Sequence, residues 1–193
     1  MIRLTRPPCP NPRALKRDYR HPANKEALKE SCFDKCMYCE SKISHSNFGD
    51  VEHIKPKDLF PDLEFEWTNL GYVCSKCNNA KRAKWNGATP FINPFDEEPS
   101  DHLTAVGAFI LHVNGSERGE LTWREIALNR PELLQQRQER IQAILTLIDK
   151  ASRTRDNALI TLIKQEITDE LKDDRPYAMA ARIAYNNLTR APE

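Results

Sequence analysis

The chain has 193 residues, of which 39% are hydrophobic and 30% are charged, and its formal net charge is only +1. A chain of this length accommodates one domain with an appendage or two small domains. It contains no apolar run long enough to cross a bilayer and no signal-type apolar stretch near its first residue, so we expect a cytoplasmic protein without a membrane anchor.

The N-terminal region, residues 1–32, is predicted to be an extended arm followed by one helix. Four prolines lie within the first twelve residues and disfavour a helix there. The run "NKEALKESC" predicts a helix from about Asn24 to Cys32. Residues 33–90 follow as a central region of short, mixed elements, which contains four of the six cysteines.

Residues 91–193 are predicted to contain a connector, a β-hairpin and helices. The proline-rich connector runs over residues 87–102, and "LTAVGAFILHV" then predicts a strand. The Asn114-Gly115 pair is a strong turn signal. After it, "ELTWREIALN" is predicted to return as a strand tip that passes into a helix.

The C-terminal third is predicted to be a small helical bundle. From Pro131 onward, apolar residues recur at steps of three and four, which is the spacing of an amphipathic helix. A last helix is expected to open at Arg175-Pro176 and to run towards Leu188, since proline suits the first turn of a helix. Together the elements indicate an α+β fold that is mainly helical.

Charged residues are distributed unevenly along the chain. Residues 1–90 contain 16 Lys and Arg against 11 Asp and Glu, a net charge of +5, whereas the remainder contains 13 against 17, a net charge of −4. Such a division fits an anion-binding module joined to a protein-binding module, although chance clustering also gives a difference of this size. The acidic helical half is therefore a candidate docking surface for a partner protein.

Four of the six cysteines form two pairs with matched spacing: Cys36, Cys39, Cys74 and Cys77. In a reducing compartment disulfides are rare, and clustered cysteines usually bind metal. Two cysteines separated by two residues place both thiolates on one tight turn, and two such turns complete the ligand set of a structural zinc ion. The sequence therefore predicts a closed zinc site. Cys32 is expected to be a buried free thiol, and Cys9 has no evident partner.

The 34 residues between the two cysteine pairs contain a candidate catalytic histidine. Glu52 directly precedes His53, and Lys55 and Lys57 flank Pro56. A lone histidine is usually structural, but this one follows a carboxylate, precedes two cations and lies between two metal-binding turns. A histidine in such surroundings is suited to general base catalysis near neutral pH.

The segment from about Cys36 to Trp85 resembles the HNH endonucleases, whose core is a ββα-metal fold. The resemblance implies a metal-dependent phosphodiesterase that cuts nucleic acid, which is DNA for most family members. It rests on motifs that occur in order, namely the four paired cysteines, Glu52-His53, Asn69-Leu70, and Asn78 with Lys81 behind Cys77.

This resemblance implies a role for each motif residue. His53 corresponds to the general base that deprotonates the attacking water, and Asn69 to the residue that braces the loop and orients this base. Glu52 and Asn78 correspond to the pair that holds a catalytic divalent cation, Mg²⁺ or Mn²⁺, which stabilises the transition state and the leaving oxygen. Contacts to the nucleic-acid backbone are expected from four lysines: Lys55, Lys57, Lys81 and Lys84.

Three features of this site depart from the simplest expectation. Glu52 stands where many HNH members have Asp, and Asn78 stands where many have His, although Asn also supplies an oxygen ligand and occurs in the family. Strict alternation along a strand would place Glu52 and His53 on opposite faces. Both residues therefore serve one site only if the strand ends or bulges at this point.

The flanking segments "MIRLTRP", "INPFDEEPSDHL" and "NGSERGEL" extend the resemblance to the HNH nuclease subunit of Septu-type anti-phage defence systems, to which retron-associated subunits are related. It implies an ABC/SMC-like ATPase as partner and, in retron versions, a reverse transcriptase with its reverse-transcribed DNA. Two alternatives without catalysis are a zinc-stabilised nucleic-acid-binding module and a scaffold that only docks the ATPase. The Glu52-His53 pair favours the nuclease, because a binding module needs no acid-base pair.

Overall fold

The computed structural model describes residues 1–43 and 49–189. Its elements occur in the order α1-α2-β1-β2-α3-β3-β4-α4-α5-α6-α7, so that two small β-sheets are embedded in a mainly helical chain. Within these ranges, no helix combines the length and the apolar character that crossing a bilayer requires. The mainly helical α+β fold predicted from the sequence is confirmed.

A ββα unit lies at the centre of the chain. Strands β1 (Asp50–His53) and β2 (Leu70–Val73) pair in antiparallel register, with His53 opposite Leu70. Helix α3 (Ser75–Lys81) follows β2 after one residue and packs against β1. Because β1 ends at His53, this histidine occupies the strand terminus that a shared site with Glu52 requires.

The N-terminal region contains two helices, α1 (Pro12–Leu15) and α2 (Pro22–Ser31). Proline occupies the first turn of each helix, where its missing N–H costs nothing, so the prolines start these helices rather than exclude them. Met1 and Leu4 are buried, and the Leu4 N–H donates to the carbonyl of Pro94. The arm predicted as an extended segment is therefore packed into the core.

The β-hairpin is shorter than the sequence predicts and lies earlier in the chain. Strands β3 (Leu103–Val106) and β4 (Phe109–His112) both fall within the segment predicted as one strand. They are joined by Gly107 and Ala108, and Gly107 has a φ of +56°, as a two-residue turn of type II′ requires at its first position. The strand predicted after Asn114-Gly115 is wrong, because α4 (Glu117–Glu125) begins there instead.

Helix α4 starts after Asn114-Gly115 because its sequence contains a better helix signal than strand signal. The Ser116 hydroxyl caps the helix by accepting from the Gly119 N–H, and Glu117 and Glu120 lie in the first turn. A serine cap and early acidic residues both stabilise a helix N-terminus. The turn signal is thus the approach to a helix.

The C-terminal bundle consists of three helices: α5 (Pro131–Arg153), α6 (Asn157–Glu170) and α7 (Ala178–Thr189). Helix α5 begins at Pro131, as predicted, and packs against both α6 and α7, while α7 also packs against β3. The last helix starts two residues after Pro176, because Tyr177 has a φ of +56° that is incompatible with a helix.

One continuous hydrophobic core joins the three regions of the sequence. It runs from Met1 through the ββα unit to Ala180. The proline-rich connector contributes Phe91, Ile92 and Phe95, which are all buried. Three single-turn 3₁₀ helices complete the fold, over Pro61–Leu63, Trp67–Asn69 and Pro99–Asp101.

Candidate active site and metal centre

The two cysteine pairs converge on one point, as the spacing predicts. The Sγ atoms of Cys36, Cys39, Cys74 and Cys77 all lie within 4.8 Å of one another, and all four residues are buried. Four sulfurs at about 2.3 Å from a central zinc ion lie about 3.8 Å from one another. The Cys39 and Cys74 sulfurs are 3.8 Å apart, and all four sulfurs are close enough together to surround one tetrahedral zinc ion.

The cysteine cluster joins the first cysteine turn to the ββα unit. Cys74 is the N-cap of α3, and its sulfur accepts from the Cys77 N–H. The first turn docks on β2 through a hydrogen bond from the Met37 N–H to the Tyr72 carbonyl. A Cβ atom at Gly71 would lie 2.2 Å from the Met37 sulfur, so glycine permits this close approach. The start of α3 is therefore fixed by the cluster.

Arg130 lies beside this cluster, which the sequence did not predict. Its guanidinium is 3.5 Å from the Cys77 sulfur and 3.8 Å from the Cys39 and Cys74 sulfurs. Four thiolates around one Zn²⁺ leave a net charge of −2, and a neighbouring cation offsets part of it. Because Arg130 directly precedes α5, this contact also connects the cluster to the C-terminal bundle.

The other two cysteines lie outside the cluster. Cys32 is buried as predicted, and burial raises the pKa of its thiol to about 12. The Cys9 sulfur lies 3.6 Å from the side-chain oxygen of Asn24. Neither thiol is placed to complete or compete for the four-sulfur ligand set.

One face of β1 is directed at α3. Asp50 and Glu52 alternate onto the same face of the strand, and Asn78 and Lys81 are three residues apart on the helix. The Asn78 side-chain amide donates to Asp50 over 3.1 Å, and the Lys81 ammonium donates to Glu52 over 2.5 Å. The two contacts, Asn78 with Asp50 and Lys81 with Glu52, thus lie side by side between β1 and α3.

Lys81 is not at the surface, where its predicted contact with a nucleic-acid backbone requires it to be. Its side chain is 0% exposed, and its ammonium also donates to the carbonyl of His53. Burial raises the pKa of Glu52, while the Lys81 ammonium opposes this shift. Lys81 is therefore a structural cation that holds β1 against α3 and neutralises a buried carboxylate.

Replacing Lys81 is expected to lower the free energy of unfolding of the protein, beyond any effect on nucleic-acid binding. Lys81→Ala leaves Glu52 buried without its partner, which typically costs about 3–5 kcal/mol. Urea unfolding followed by circular dichroism measures the loss. Lys84→Ala is the matched control, because Lys84 is exposed and its ion pair with Glu125 is worth about 0–1 kcal/mol. Equal stabilities for the two variants would contradict the structural role of Lys81.

His53 is held by a backbone carbonyl in a single tautomer. Its Nε2 atom lies 2.9 Å from the carbonyl oxygen of Glu64, which can only accept. The neutral ring therefore has its proton on Nε2 and its lone pair on Nδ1. Among the described residues, none forms a hydrogen bond with Nδ1. The ring thus presents one basic nitrogen that is free to accept a proton.

The surroundings of His53 favour its neutral form. Burial lowers the pKa of the imidazole, and the ammonium groups of Lys57 and Lys81 act in the same direction, whereas the hydrogen bond to Glu64 opposes them. The ring of Tyr19 packs edge-on against the imidazole, with the centroids 4.6 Å apart. Packing and hydrogen bonding together fix the orientation of the ring.

Asn69 fastens the loop that carries the Glu64 carbonyl. Its side-chain oxygen accepts from the Lys55 N–H, and its amide donates to the carbonyls of Lys55 and Leu63. One side chain therefore joins both ends of the loop between β1 and β2. Among the described residues, the hydrogen bonds of the Asn69 side chain go to Lys55 and Leu63 and not to His53, so Asn69 holds the residue adjacent to Glu64.

Residues 36–84 match the family model described as HNH endonuclease. They form an HNH domain. The four cysteines and the three side chains His53, Asn69 and Asn78 all lie within the matched segment. The resemblance inferred from the sequence motifs is confirmed for this part of the chain.

Two curated relatives, both named Septu protein PtuB, are similar to a longer part of the chain. The protein from Bacillus thuringiensis is 40% identical over 83 residues, which cover 42% of this chain and 32% of the relative. The protein from Bacillus mycoides (strain KBAB4) is 29% identical over 150 residues, which cover 62% of this chain and 51% of the relative. The chain thus spans about a third to a half of the length of these relatives.

The HNH domain presents His53 in an open groove of about 330 Å³. Acidic side chains are present as well, from Glu52 and Asp58. The groove is also lined by aromatic, basic and amide side chains: Tyr19, Arg20, Lys57, Asn78 and Arg82. His53 and Asn78 are therefore brought to one cavity.

The three exposed or half-exposed lysines of the prediction differ in their contacts. Lys57 lines the groove and pairs with Glu64 over 2.9 Å. Lys84 pairs with Glu125 over 2.8 Å, away from His53. Lys55 is exposed, and its backbone is held by Asn69. Lys57 is therefore the lysine of these three that lines the groove.

Several residues beside the HNH motifs were missed by the sequence analysis. Asp50 has a signal, since it lies two residues before Glu52 and alternation places both on one strand face. Tyr19, Arg20 and Arg130 have none, because they reach the domain from distant parts of the chain. Arg82 follows Lys81 in sequence, but only the structure shows that it lines the groove.

Proposed function

We propose that this chain is a metal-dependent endonuclease that hydrolyses phosphodiester bonds of nucleic acid. The observation that carries this proposal is the His53 ring, whose Nε2 is held by a carbonyl while no residue in the described part of the chain forms a hydrogen bond with Nδ1. His53 shares its groove with Glu52 and Asn78, the proposed ligands of a divalent ion, so that a base and a metal site would meet in one place.

In this proposal His53 acts as the general base. Its Nδ1 takes a proton from the water that attacks the phosphorus, and the resulting imidazolium is stabilised by the Glu64 carbonyl at Nε2. The lowered pKa keeps the ring neutral, and therefore competent as a base, at neutral pH. Asn69 is a positioning residue, because it holds the loop on which Glu64 lies.

Asn78 and Glu52 would hold the catalytic divalent ion. The Lys81 ammonium binds one carboxylate oxygen of Glu52, which leaves the second oxygen for the ion. Asn78 offers its side-chain oxygen to the ion, while its amide nitrogen donates to Asp50. An oxygen donor set of this kind suits Mg²⁺ or Mn²⁺. When bound, such an ion stabilises the negative charge that develops on the phosphate and leaving oxygens. Lys55 and Lys57 would contact backbone phosphates.

Asn78→Ala is expected to raise the Mg²⁺ concentration that gives half-maximal cleavage by about 10–100-fold, the loss typical when a residue that supports a metal site is removed. Its zinc content should not change, because Asn78 is not one of the four cysteine ligands. Asn79→Ala is the matched control, since Asn79 is its exposed neighbour on α3. A normal Mg²⁺ dependence in Asn78→Ala would remove Asn78 from the proposed ion site.

The four-cysteine cluster would hold a structural zinc ion. Its ligand set is complete without water, so it offers no open position for substrate. Zinc chemistry therefore lies outside the reaction, and the ion fixes the start of α3, on which Asn78 follows Cys77 directly.

We further propose that the chain acts in anti-phage defence. Similarity to two proteins named Septu protein PtuB supports this, together with the flanking segments that resemble Septu nuclease subunits. An ABC/SMC-like ATPase is the proposed partner, with DNA as the proposed substrate. The names of the two relatives say nothing of a retron, so a reverse transcriptase is not included in the proposal.

A cleavage assay tests the proposal. The full chain, alone and co-expressed with the products of its neighbouring genes, is incubated with labelled nucleic acid in the presence and absence of Mg²⁺. Metal-dependent internal cleavage supports the nuclease. Nucleic-acid binding without cleavage in both preparations would identify a zinc-stabilised binding module, and neither binding nor cleavage would identify a scaffold.

A further inference from the structure

Two groups of aromatic and basic side chains lie in or next to the groove that contains His53. The first is built on Tyr19, which reaches the groove from the segment between α1 and α2. The Arg20 guanidinium and the Lys57 ammonium each lie 5.1 Å from the centre of the Tyr19 ring. The ring edge contacts His53 and is only half-buried, so an aromatic surface with two cations adjoins the proposed base.

The second group consists of Phe60, Trp85 and Lys55. The two rings meet edge-to-face with centroids 5.5 Å apart, and the Lys55 ammonium lies 5.8 Å from the Phe60 ring and 5.9 Å from the Trp85 ring. The group lies next to the groove, because the groove is lined by Pro56, which follows Lys55, and by Ala83, which lies two residues before Trp85. Both rings are half-buried, whereas core rings such as Phe91 are 3% exposed.

This combination has a recognised use in nucleic-acid binding. Proteins that hold single strands combine cations along the backbone path with aromatic rings on which successive bases stack. The bases of a duplex are already stacked inside the helix and are not accessible to such rings. Phosphate contacts alone would require only the cations, and a loop packed for stability would bury its rings in the core.

We propose that the groove takes unpaired nucleotides, with bases stacked on Tyr19 beside His53 and on the Phe60–Trp85 pair beside Lys55. This inference rests on the proposed phosphodiesterase function and assigns its substrate class as single-stranded nucleic acid or an unpaired stretch within a duplex. Lys55, Lys57 and Arg20 then turn from the ring faces to the phosphates as bases replace them. Stacking is common to DNA and RNA, so the two are distinguished by experiment.

Binding to the full chain tests the proposal without interference from cleavage when it is measured on the His53→Ala background. Labelled oligonucleotides of one sequence are used as single-stranded DNA, single-stranded RNA and duplex DNA, at one salt concentration because phosphate contacts depend strongly on salt. Trp85→Ala and Tyr19→Ala should each weaken single-strand binding by about 5- to 150-fold. Trp85→Phe, which keeps a ring, should retain most of the affinity.

The control is Phe109→Ala, which removes an exposed ring on β4 that does not line the groove. It should bind like the unsubstituted background, and duplex affinity should not respond to Trp85→Ala. A loss of single-strand affinity when a ring is removed supports the proposal. Whether the loss occurs with DNA, with RNA or with both shows which sugar the groove accepts. If single strand and duplex bind equally and neither Trp85→Ala nor Tyr19→Ala weakens binding, the proposal is overturned.

The outcome for the proposed nuclease function is read separately, on the chain that retains His53. Cleavage of duplex without any effect of the rings would leave the nuclease in place and remove only the stacking inference. Ring-dependent binding of single strands without cleavage of any nucleic acid would keep the stacking surface and remove the nuclease. The two proposals therefore fail on different measurements.

Discussion

Replacing His53 by alanine is expected to lower the rate of nucleic-acid cleavage by about 10²–10⁴-fold, which is the contribution typical of a positioned general base. The imidazole lines the groove with the proposed ion ligands, its Nε2 is held by the Glu64 carbonyl, and no residue of the described ranges forms a hydrogen bond with Nδ1. Single-turnover cleavage of an end-labelled substrate at saturating Mg²⁺ measures the chemical step.

The loss must be separated from unfolding, because His53 is only 7% exposed. His53→Ala should retain its zinc, since His53 is not one of the four cysteine ligands, and should still bind single strands, since the Phe60–Trp85 pair is packed without the imidazole. His102→Gln is a matched control: His102 pairs with Glu97 and Ser116 outside the groove. A cleavage rate in His53→Ala equal to that of His102→Gln would contradict the assignment of the base.

The cysteine cluster was predictable from sequence because its ligands are set locally. A spacing of two residues places both thiolates on one turn, and only the meeting of two such turns depends on the rest of the fold. The resemblance of the motifs to HNH endonucleases implied the ββα unit, which is confirmed. Helix α5 was equally predictable, since its apolar period and Pro131 are local signals.

The partners of buried charges were not predictable from sequence. The sequence predicts that Lys81 is a surface cation on a short basic helix. In the structure Lys81 is buried, because Glu52 on β1 faces it where the strand packs against the helix. Arg130 is brought to the cysteine cluster from the start of α5. Long side chains reach their partners through tertiary packing, and no spacing within one element encodes that.

The hairpin shows a conflict between two local signals. Asn114-Gly115 is the stronger turn signal, yet Gly107 carries the hairpin turn, because a cap at Ser116 commits the following segment to a helix. Asn129 also ties β4 to the segment before α5 by exchanging hydrogen bonds with the backbone of Ile110. Distant contacts therefore decided which turn closes the sheet.

Removing zinc is expected to unfold the ββα unit and, with it, the candidate site. Structural zinc sites contribute about 10–16 kcal/mol of binding free energy, which exceeds the net stability of most domains. Here the cluster fixes the start of α3, the first cysteine turn and the approach of α5 through Arg130. We therefore expect one zinc ion per chain by elemental analysis and a cooperative loss of helical circular dichroism when a strong chelator removes it.

Cys36→Ser tests the dependence of folding on zinc by removing one of the four proposed ligands. It should lower zinc occupancy and the melting temperature, because the remaining three thiolates bind the ion less tightly and Cys36 is completely enclosed. Cys9→Ser, which removes a thiol outside the cluster, should change neither. Asn78→Ala should keep zinc while losing Mg²⁺ response, which separates the structural ion from the catalytic one. A folded, zinc-free protein with the melting temperature of the untreated chain would show that the four cysteines stabilise α3 without a metal.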